Sequence, residues 1–281
     1  NSSHAEGLGT LASGSESHAE GHNTQATADS AHAEGHNTIA SASDSHAEGF
    51  ASQATAQQAH AEGRNTIASG EQSHSQGDHT EANGHASHSS GLRTIANGDY
   101  SHVSGIRAVS DMYNQWSHGN STETALQSPT SSGNYQKSIY LLSGKSDANV
   151  SSKTLFLDGT NGSRYIDIKE DSYWTYSFKL IGKETGSSTR YLYDSSFNRS
   201  LAIYSDNTGL IIEDDNFTAS VNTPYQIIIP DSNGLFNTSI QFNRIAGAAA
   251  GFQRLEVSMI LPGNLPETTW LLELNTLEYI F

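Results

Sequence analysis

The sequence predicts an all-β protein in two parts: a parallel β-roll (solenoid) of 14-residue repeats, followed by an antiparallel β-sandwich or jelly roll. Three observations predict this fold class. Histidine and glycine recur every 14 residues in the first part, most aromatic residues and all prolines lie after Ser128, and the second part contains short β-rich runs separated by turn residues. We expect the parts to be residues 1–124 and 135–281, joined by a connector at 125–134.

The repeat reads Ser-His-Ala-Glu-Gly-x-x-Thr-x-Ala, followed by four variable residues. Two short segments of alternating character, each followed by small or turn-forming residues, predict one solenoid coil with two parallel strands. A helix is disfavoured because Ser, Thr, Gly and Asn are poor helix formers. In the first strand, His and Glu share one face while Ser, Ala and Gly take the other, and the glycine is expected to close the strand with unusual backbone dihedrals.

The repeats resemble a known family. Ser3-His4-Ala5-Glu6-Gly7 and its successors are similar to the YadA-like head repeats of trimeric autotransporter adhesins, which have a Ser-Val-Ala-Ile-Gly core. That family forms a trimeric left-handed parallel β-roll, so the resemblance implies a homotrimeric fibre. His and Glu stand here where the family has Val and Ile. Similar Ser-His-Ala-Glu-Gly arrays occur in tail-fibre proteins of phages and prophages, which this chain resembles more. The resemblance covers residues 1–124.

The repeated histidines and glutamates are interpreted as a structural ladder that fixes the axial register of the fibre. If they face the coil interior or the trimer axis, each buried carboxylate needs a donor, which an imidazole two residues or one coil away can supply. An alternative is a metal ion held by three histidines from three chains, or by His with Glu. The structural ladder is preferred, and neither a metal nor another cofactor is predicted. The ladder comprises His4, Glu6, His18, Glu20, His32, Glu34, His46, Glu48, His60, Glu62, His74, His88 and His102.

The ladder changes toward its C-terminal end. Gln76, Ser90, Ser104 and His118 stand where earlier repeats have Glu, and apolar residues become more frequent. Trp116 takes the place of histidine in the ninth repeat. Because a terminal repeat must cover its exposed edge, Trp116 is predicted to cap the roll.

The second part is predicted to contain eleven strands and to fold as a sandwich of about 145 residues. Its first two runs and the strand that holds Trp174 resemble a β-sandwich module at the C-termini of phage tail-fibre proteins, which implies a distal, receptor-facing domain. Trp174, Tyr176, Phe178 and Trp270 are expected to be core residues. The predicted runs are Ser138–Ser143, Thr154–Asp158, Arg164–Ile168, Tyr173–Leu180, Thr189–Tyr193, Leu201–Ser205, Leu210–Glu213, Tyr225–Ile229, Ser239–Ile245, Leu255–Leu261 and Trp270–Leu277.

No catalytic residue is predicted. The chain from Tyr135 onward contains no histidine, so a serine–histidine triad cannot form within it. Glu213, Asp214 and Asp215 could serve a glycosidase, but three adjacent acids are more typical of a solvated turn or a cation site. The repetition also argues against catalysis, because an active site needs one constellation, whereas histidine recurs here in eight repeats and is followed by glutamate in five.

Charge and hydropathy limit the partners. Residues 1–126 carry 14 acidic and three basic side chains, and the chain has a net charge of −16, so nucleic acid is not expected to bind. No apolar run approaches the length of a membrane span, and no leader resembles a signal peptide.

Because Asn1 already lies inside a repeat, we expect the sequence to be part of a longer protein. The lack of cysteine excludes disulfides and does not fix the compartment.

These features predict a non-enzymatic structural and adhesive component of a phage tail fibre or phage-like injection apparatus. It would lie in a virion or an extracellular tail-like particle and bind a bacterial surface glycan or protein through residues that the sequence does not identify. One alternative is the passenger fragment of a cell-anchored trimeric autotransporter adhesin on the bacterial surface. Another is a tailspike that depolymerises glycans.

Overall fold

The computed structural model describes residues 2–120, 135–159, 164–169, 172–186, 190–194, 201–206, 209–214, 217–219, 225–229, 238–245, 252–261 and 265–280. In these ranges every regular element is a β-strand, which confirms the all-β class. The chain forms two compact units, residues 1–136 and 137–281. The predicted connector at 125–134 lies outside the described residues. No helical segment of the described chain has the length and hydropathy of a membrane span.

The first unit is a parallel β-solenoid in which each 14-residue coil contributes one long strand and one short strand. The long strands are β1 (His4–Leu8), β3 (His18–His22), β5 (His32–His36), β7 (His46–Phe50), β9 (His60–Arg64), β11 (His74–Asp78), β13 (His88–Leu92), β15 (His102–Ile106) and β17 (Trp116–Asn120). The short strands are β2 (Leu11–Ala12), β4 (Gln25–Ala26), β6 (Ile39–Ala40), β8 (Gln53–Ala54), β10 (Ile67–Ala68), β12 (Glu81–Ala82), β14 (Ile95–Ala96) and β16 (Val109–Ser110).

Each strand pairs in parallel with the equivalent strand of the next coil. In the pair β5 and β7, for example, His32 aligns with His46 and Glu34 with Glu48. The same register holds along the short strands, where Ala40 aligns with Ala54. The predicted solenoid with 14-residue spacing is therefore confirmed. Its assembly into a trimer stays a prediction.

Small side chains fill the interior of the roll. Ala33, Ala47 and Ala61 at the second position of the long strands are fully buried, as is Ala40 in a short strand. Their size permits a coil of only 14 residues. Because so little apolar surface is buried per coil, hydrogen bonds between coils, such as that from the His32 amide to the Ser45 carbonyl at 2.9 Å, hold much of the stack together.

Glycine is required at the fourth position of the long strands because the coils stack closely there. Gly49 has a φ of +100°, and a Cβ added to it would lie 2.2 Å from the carbonyl oxygen of Gly63 in the next coil. The unusual dihedrals are thus confirmed. The prediction that this glycine closes the strand is wrong, because β7 continues to Phe50.

Two further positions per coil adopt a left-handed conformation, seven residues apart. Asn37, Asp44, Ala51 and Gln58 have φ values of 58°, 57°, 55° and 56°. These residues lie in the two turns of the coil. Apart from Gly9, the residues at these positions in the described coils are not glycine, so the fold accepts the cost of left-handed non-glycine residues at regular intervals.

The second unit consists of antiparallel sheets. Its strands are β18 (Tyr135–Ser146), β19 (Ser152–Leu155), β20 (Ile166–Lys169), β21 (Ser172–Glu184), β22 (Arg190–Asp194), β23 (Leu201–Asp206), β24 (Gly209–Asp214), β25 (Phe217–Ala219), β26 (Tyr225–Ile229), β27 (Thr238–Ile245), β28 (Phe252–Ile260) and β29 (Thr268–Ile280). One series of neighbours is β18-β29-β21-β23-β24-β25, with β22 also beside β21, and the other is β19-β28-β27-β26, with β20 beside β28. The antiparallel sheet prediction is confirmed, whereas packing as a sandwich stays a prediction.

All eleven predicted runs overlap a strand, and among the strands described in the second unit β25 alone was not predicted. Trp174, Phe178 and Trp270 are buried, as expected for core residues. The side chain of Tyr176, the fourth expected core residue, is not among those that the structure describes. The ring of Trp174 stacks on that of Tyr140, with centroids 5.7 Å apart.

Candidate functional site

The histidines and glutamates of the ladder lie on the outer face of the long strands. Side chains alternate along a strand, so Ala47 at the second position of β7 points inward and is fully buried. His46 and Glu48 point outward, and their side chains are 35% and 39% exposed. The coil interior is therefore excluded as the location of the ladder. Its placement on a trimer axis stays a proposal.

The imidazoles form a stacked column. From His18 to His74, consecutive rings lie within 7° of parallel, with centroids 4.5 to 4.8 Å apart. His88 breaks this column, because its ring is turned 88° from that of His74. The stacking resumes between His88 and His102 at 4.7 Å.

The carboxylates contact this column in two ways. In the first four coils, each glutamate lies 3.5 to 3.9 Å from the Nε2 atom of the histidine in its own strand. In the fifth coil, Glu62 instead contacts His74 of the next coil, with Oε1 and Nε2 3.5 Å apart. The position two residues after His74 holds no acid, because Gln76 occupies it. The ladder thus brings together the two residue types that the sequence singled out.

Burial governs the protonation of five histidines on this face. Desolvation and neighbouring imidazoles lower the pKa of His32, His46 and His60, although the glutamates oppose this shift. Desolvation also lowers the pKa of His102, and it lowers that of His88 to about 4, with help from adjacent histidines. Sequence alone left burial and carboxylate pairing in competition. Burial prevails, so these five histidines are neutral at neutral pH.

The Nε2 atoms in the middle of the column are enclosed. Those of His32, His46, His60 and His74 are inaccessible to solvent and form no hydrogen bond to any described residue. Unpaired ring nitrogens of this kind are costly, and they are also the atoms through which neutral imidazole binds metal ions.

Trp116 continues the column at its C-terminal end. Its ring centroid lies 6.3 Å from that of His102, at an angle of 38°, and its side chain is exposed. Beside it, the Ser104 hydroxyl lies 3.0 Å from Nδ1 of His118. The role of Trp116 as a cap stays a prediction, since residues 121–134 are not described.

Two other ladders in the turns were not predicted. Asn23 Nδ2 donates to Asn37 Oδ1 at 3.2 Å. Ser69, Asn83, Asn97 and Asp111 form a second chain of side-chain hydrogen bonds at 2.7, 2.9 and 2.7 Å. The 14-residue spacing of these polar residues in the sequence could have indicated both ladders.

The outer face also carries an open groove of about 610 Å³ that runs across successive coils. Glu34, Glu48, Glu62, Gln76 and Ser90 line it, together with the glycine that follows each of them. Its acidic character suits cations rather than anions.

The predicted absence of catalytic residues stays an expectation. The side chains of Glu213, Asp214 and Asp215, the three acids considered for a glycosidase, lie outside the described part of the second unit.

No protein-family model matches the sequence, and no curated protein matches it. A solved structure with some likeness is the tailspike protein gp49 of Acinetobacter baumannii bacteriophage Fri1, described as a capsular polysaccharide depolymerase. The likeness has a TM-score of 0.24 and 10% sequence identity, and it covers 94% of this chain. This chain spans 40% of the length of that tailspike chain.

Proposed function

We propose that this chain is a structural and adhesive component of a phage tail fibre or phage-like injection apparatus. The solenoid is a spacer, and the second unit binds a glycan or protein on the bacterial surface. The observation that carries the proposal is the uninterrupted, in-register stack of nine long strands, β1 to β17. At about 4.8 Å per coil, the stack forms a rod roughly 40 Å long. A repeated rod joined to a differently folded unit suits a part that holds a binding domain away from its base.

A homotrimer is part of the proposal. A roll filled with alanine and serine buries little apolar surface, and small cores of this kind depend on association. Large apolar side chains are exposed at the last position of several long strands, namely Leu8, Phe50, Leu92 and Ile106. Their contact with other copies of the chain would remove this surface from water. The resemblance of the repeats to the YadA-like heads supports the same assembly.

The location follows from this role: a virion or an extracellular tail-like particle. The passenger fragment of a cell-anchored adhesin would use the same rod on a bacterial surface. A glycan depolymerase is the third possibility. The Fri1 tailspike has that activity in its description, but a likeness at a TM-score of 0.24 does not bear on the choice.

A binding experiment with the full chain tests the proposal. Fluorescently labelled protein is applied to a glycan array and to a panel of whole bacteria, with excess unlabelled protein as competitor. We expect saturable, competed binding to a subset of surfaces, with glycans left intact. The matched variant His32→Val/His46→Val alters only the rod and should bind equally. Absence of binding to every surface would overturn the adhesive role, and release of oligosaccharides would establish the depolymerase.

Light scattering tests the assembly separately. We expect the mass of three chains at micromolar concentration. A monomeric mass with the β-signal of the repeats intact would contradict the fibre.

A further inference from the structure

We propose that His60, Glu62 and His74 form a site for a single transition-metal ion within one chain. One ligand atom of each residue lies within 4.8 Å of those of the other two. Two imidazole nitrogens and one carboxylate oxygen form a donor set that suits Zn²⁺ and related divalent ions, with a remaining position for water.

Glu62 is the glutamate of the ladder that bridges two coils. Its Oε1 lies 3.5 Å from Nε2 of His74, whereas Glu20 contacts only the histidine of its own strand, at 3.7 Å. The difference arises in the next coil, where Gln76 replaces the acid that would otherwise accompany His74. The carboxylate of Glu62 therefore lies between two histidines at the point where the acidic part of the ladder ends.

Both imidazoles are prepared to act as ligands. Their Nε2 atoms are enclosed and form no hydrogen bond to any described residue. A bound ion would satisfy both nitrogens.

Binding requires one ring to turn. The rings of His60 and His74 are stacked 2° from parallel, with centroids 4.7 Å apart, so their nitrogen lone pairs point in the same direction. Each ligand atom must come to about 2 Å from the ion. The pair His74 and His88, turned by 88° at 4.9 Å, shows that this column also accommodates an edge-on arrangement. Rotation about χ2 of histidine is soft, so the cost is modest.

Titration of the full-length, chelator-treated protein with Zn²⁺ or Co²⁺ alone tests the site. We expect one ion per chain, a visible Co²⁺ absorption band, and NMR shifts of imidazole protons concentrated on His60 and His74. Glu62→Gln, which keeps the side-chain shape, should weaken binding at least about tenfold, and His74→Gln should do the same.

Glu20→Gln is the matched control and should leave the affinity unchanged. Failure of Zn²⁺ and Co²⁺ to saturate the protein would overturn the proposal. Equal losses in Glu62→Gln and Glu20→Gln would also overturn it, because they would indicate diffuse binding along the ladder. All ligands come from one chain, so the result does not depend on the adhesive role or on the trimer.

Discussion

The imidazole rings of His32 and His46 lie 2° from parallel, with their centroids 4.5 Å apart. Neutral rings stack favourably at this distance, but two imidazolium rings would repel each other. Glu34 and Glu48 lie beside them at 3.9 Å and offset only part of that repulsion. The lowered pKa values of His32 and His46 agree with this, so the two stacked rings are neutral at neutral pH.

The first prediction is that acid destabilises the solenoid. The pKa of both His32 and His46 is lowered in the folded chain, chiefly by burial. His46 and then His18 lower the pKa of His32 further, and His60 lowers that of His46. The unfolded chain consequently binds protons more readily. Stability is complete above about pH 6.5 and is lost as the pH falls toward the lowered values. In the presence of chelator, His32→Val/His46→Val should reduce the fall in melting temperature between about pH 7 and about pH 5.

Gln25→Val/Gln53→Val is the control for this prediction, since it adds two valines to the short strands without removing a titrating group. It should retain the pH dependence of the parent. An identical pH dependence in the histidine variant would mean that these imidazoles are solvated in solution.

The second prediction concerns the stacking glycines. In Gly49→Ala, the added Cβ meets the Gly63 carbonyl oxygen at 2.2 Å and the residue must keep a φ of +100°. We expect a loss of at least about 2 kcal/mol in the unfolding free energy of the solenoid. Ser43→Ala, at an exposed site in the preceding coil, should change it by less than about 0.5 kcal/mol. Chemical denaturation monitored by circular dichroism measures both, and equal stabilities would contradict the close stacking.

The third prediction is a stabilising change in a turn. Ala51 has a φ of 55° and stands 14 residues from both Asn37 and Asn65, in a column where asparagines bond to their neighbours. Asparagine tolerates the left-handed conformation better than alanine, so Ala51→Asn should raise the unfolding free energy by roughly 0.5–1 kcal/mol. Ala51→Gly, which relieves the backbone alone, separates the two contributions. A loss of stability in Ala51→Asn would show that the ladder does not extend through this coil.

The fourth prediction concerns the second unit. The buried Tyr140 hydroxyl donates a hydrogen bond to Glu278 Oε1 at 2.8 Å, and the carboxylate is itself buried. Tyr140→Phe should lower the unfolding free energy of this unit by about 1–3 kcal/mol, because a buried acceptor loses a donor. The half-exposed Tyr165, changed to Phe, is the matched control and should cost less than about 0.5 kcal/mol. Urea unfolding followed by tryptophan fluorescence compares them, and equal losses would contradict a specific role for the Tyr140 hydroxyl.

The solenoid could be predicted from the sequence because the same residue types recur at every fourteenth position. A step of 14 residues fixes the register, so the pairing of His32 with His46 follows from the spacing alone. Alternation within a strand also placed His and Glu on one face. It could not decide whether that face points inward or outward, since Ala47 and His46 differ in burial only once the coil closes.

The geometry of the candidate site was harder to predict. Glu62 contacts the histidine of the next coil because of side-chain rotamers and because Gln76 replaces an acid there. A consensus of the repeats does not show such a difference between single coils. The protonation of the column required burial to be weighed against nearby charge, and only distances can do that. In the second unit, β25 was missed because three residues are too few to show alternation.

The identical register of every coil has an evolutionary consequence. A duplication or deletion of one 14-residue segment inserts or removes a whole coil. The remaining coils then still pair with one another in the same register. Reach can therefore change by unequal recombination in steps of about 4.8 Å, without any compensating substitution. A single-residue insertion cannot be accommodated in this way, because it would move buried alanines such as Ala47 to the outer face. The number of repeats in the gene therefore sets the length of the rod, in steps of one coil.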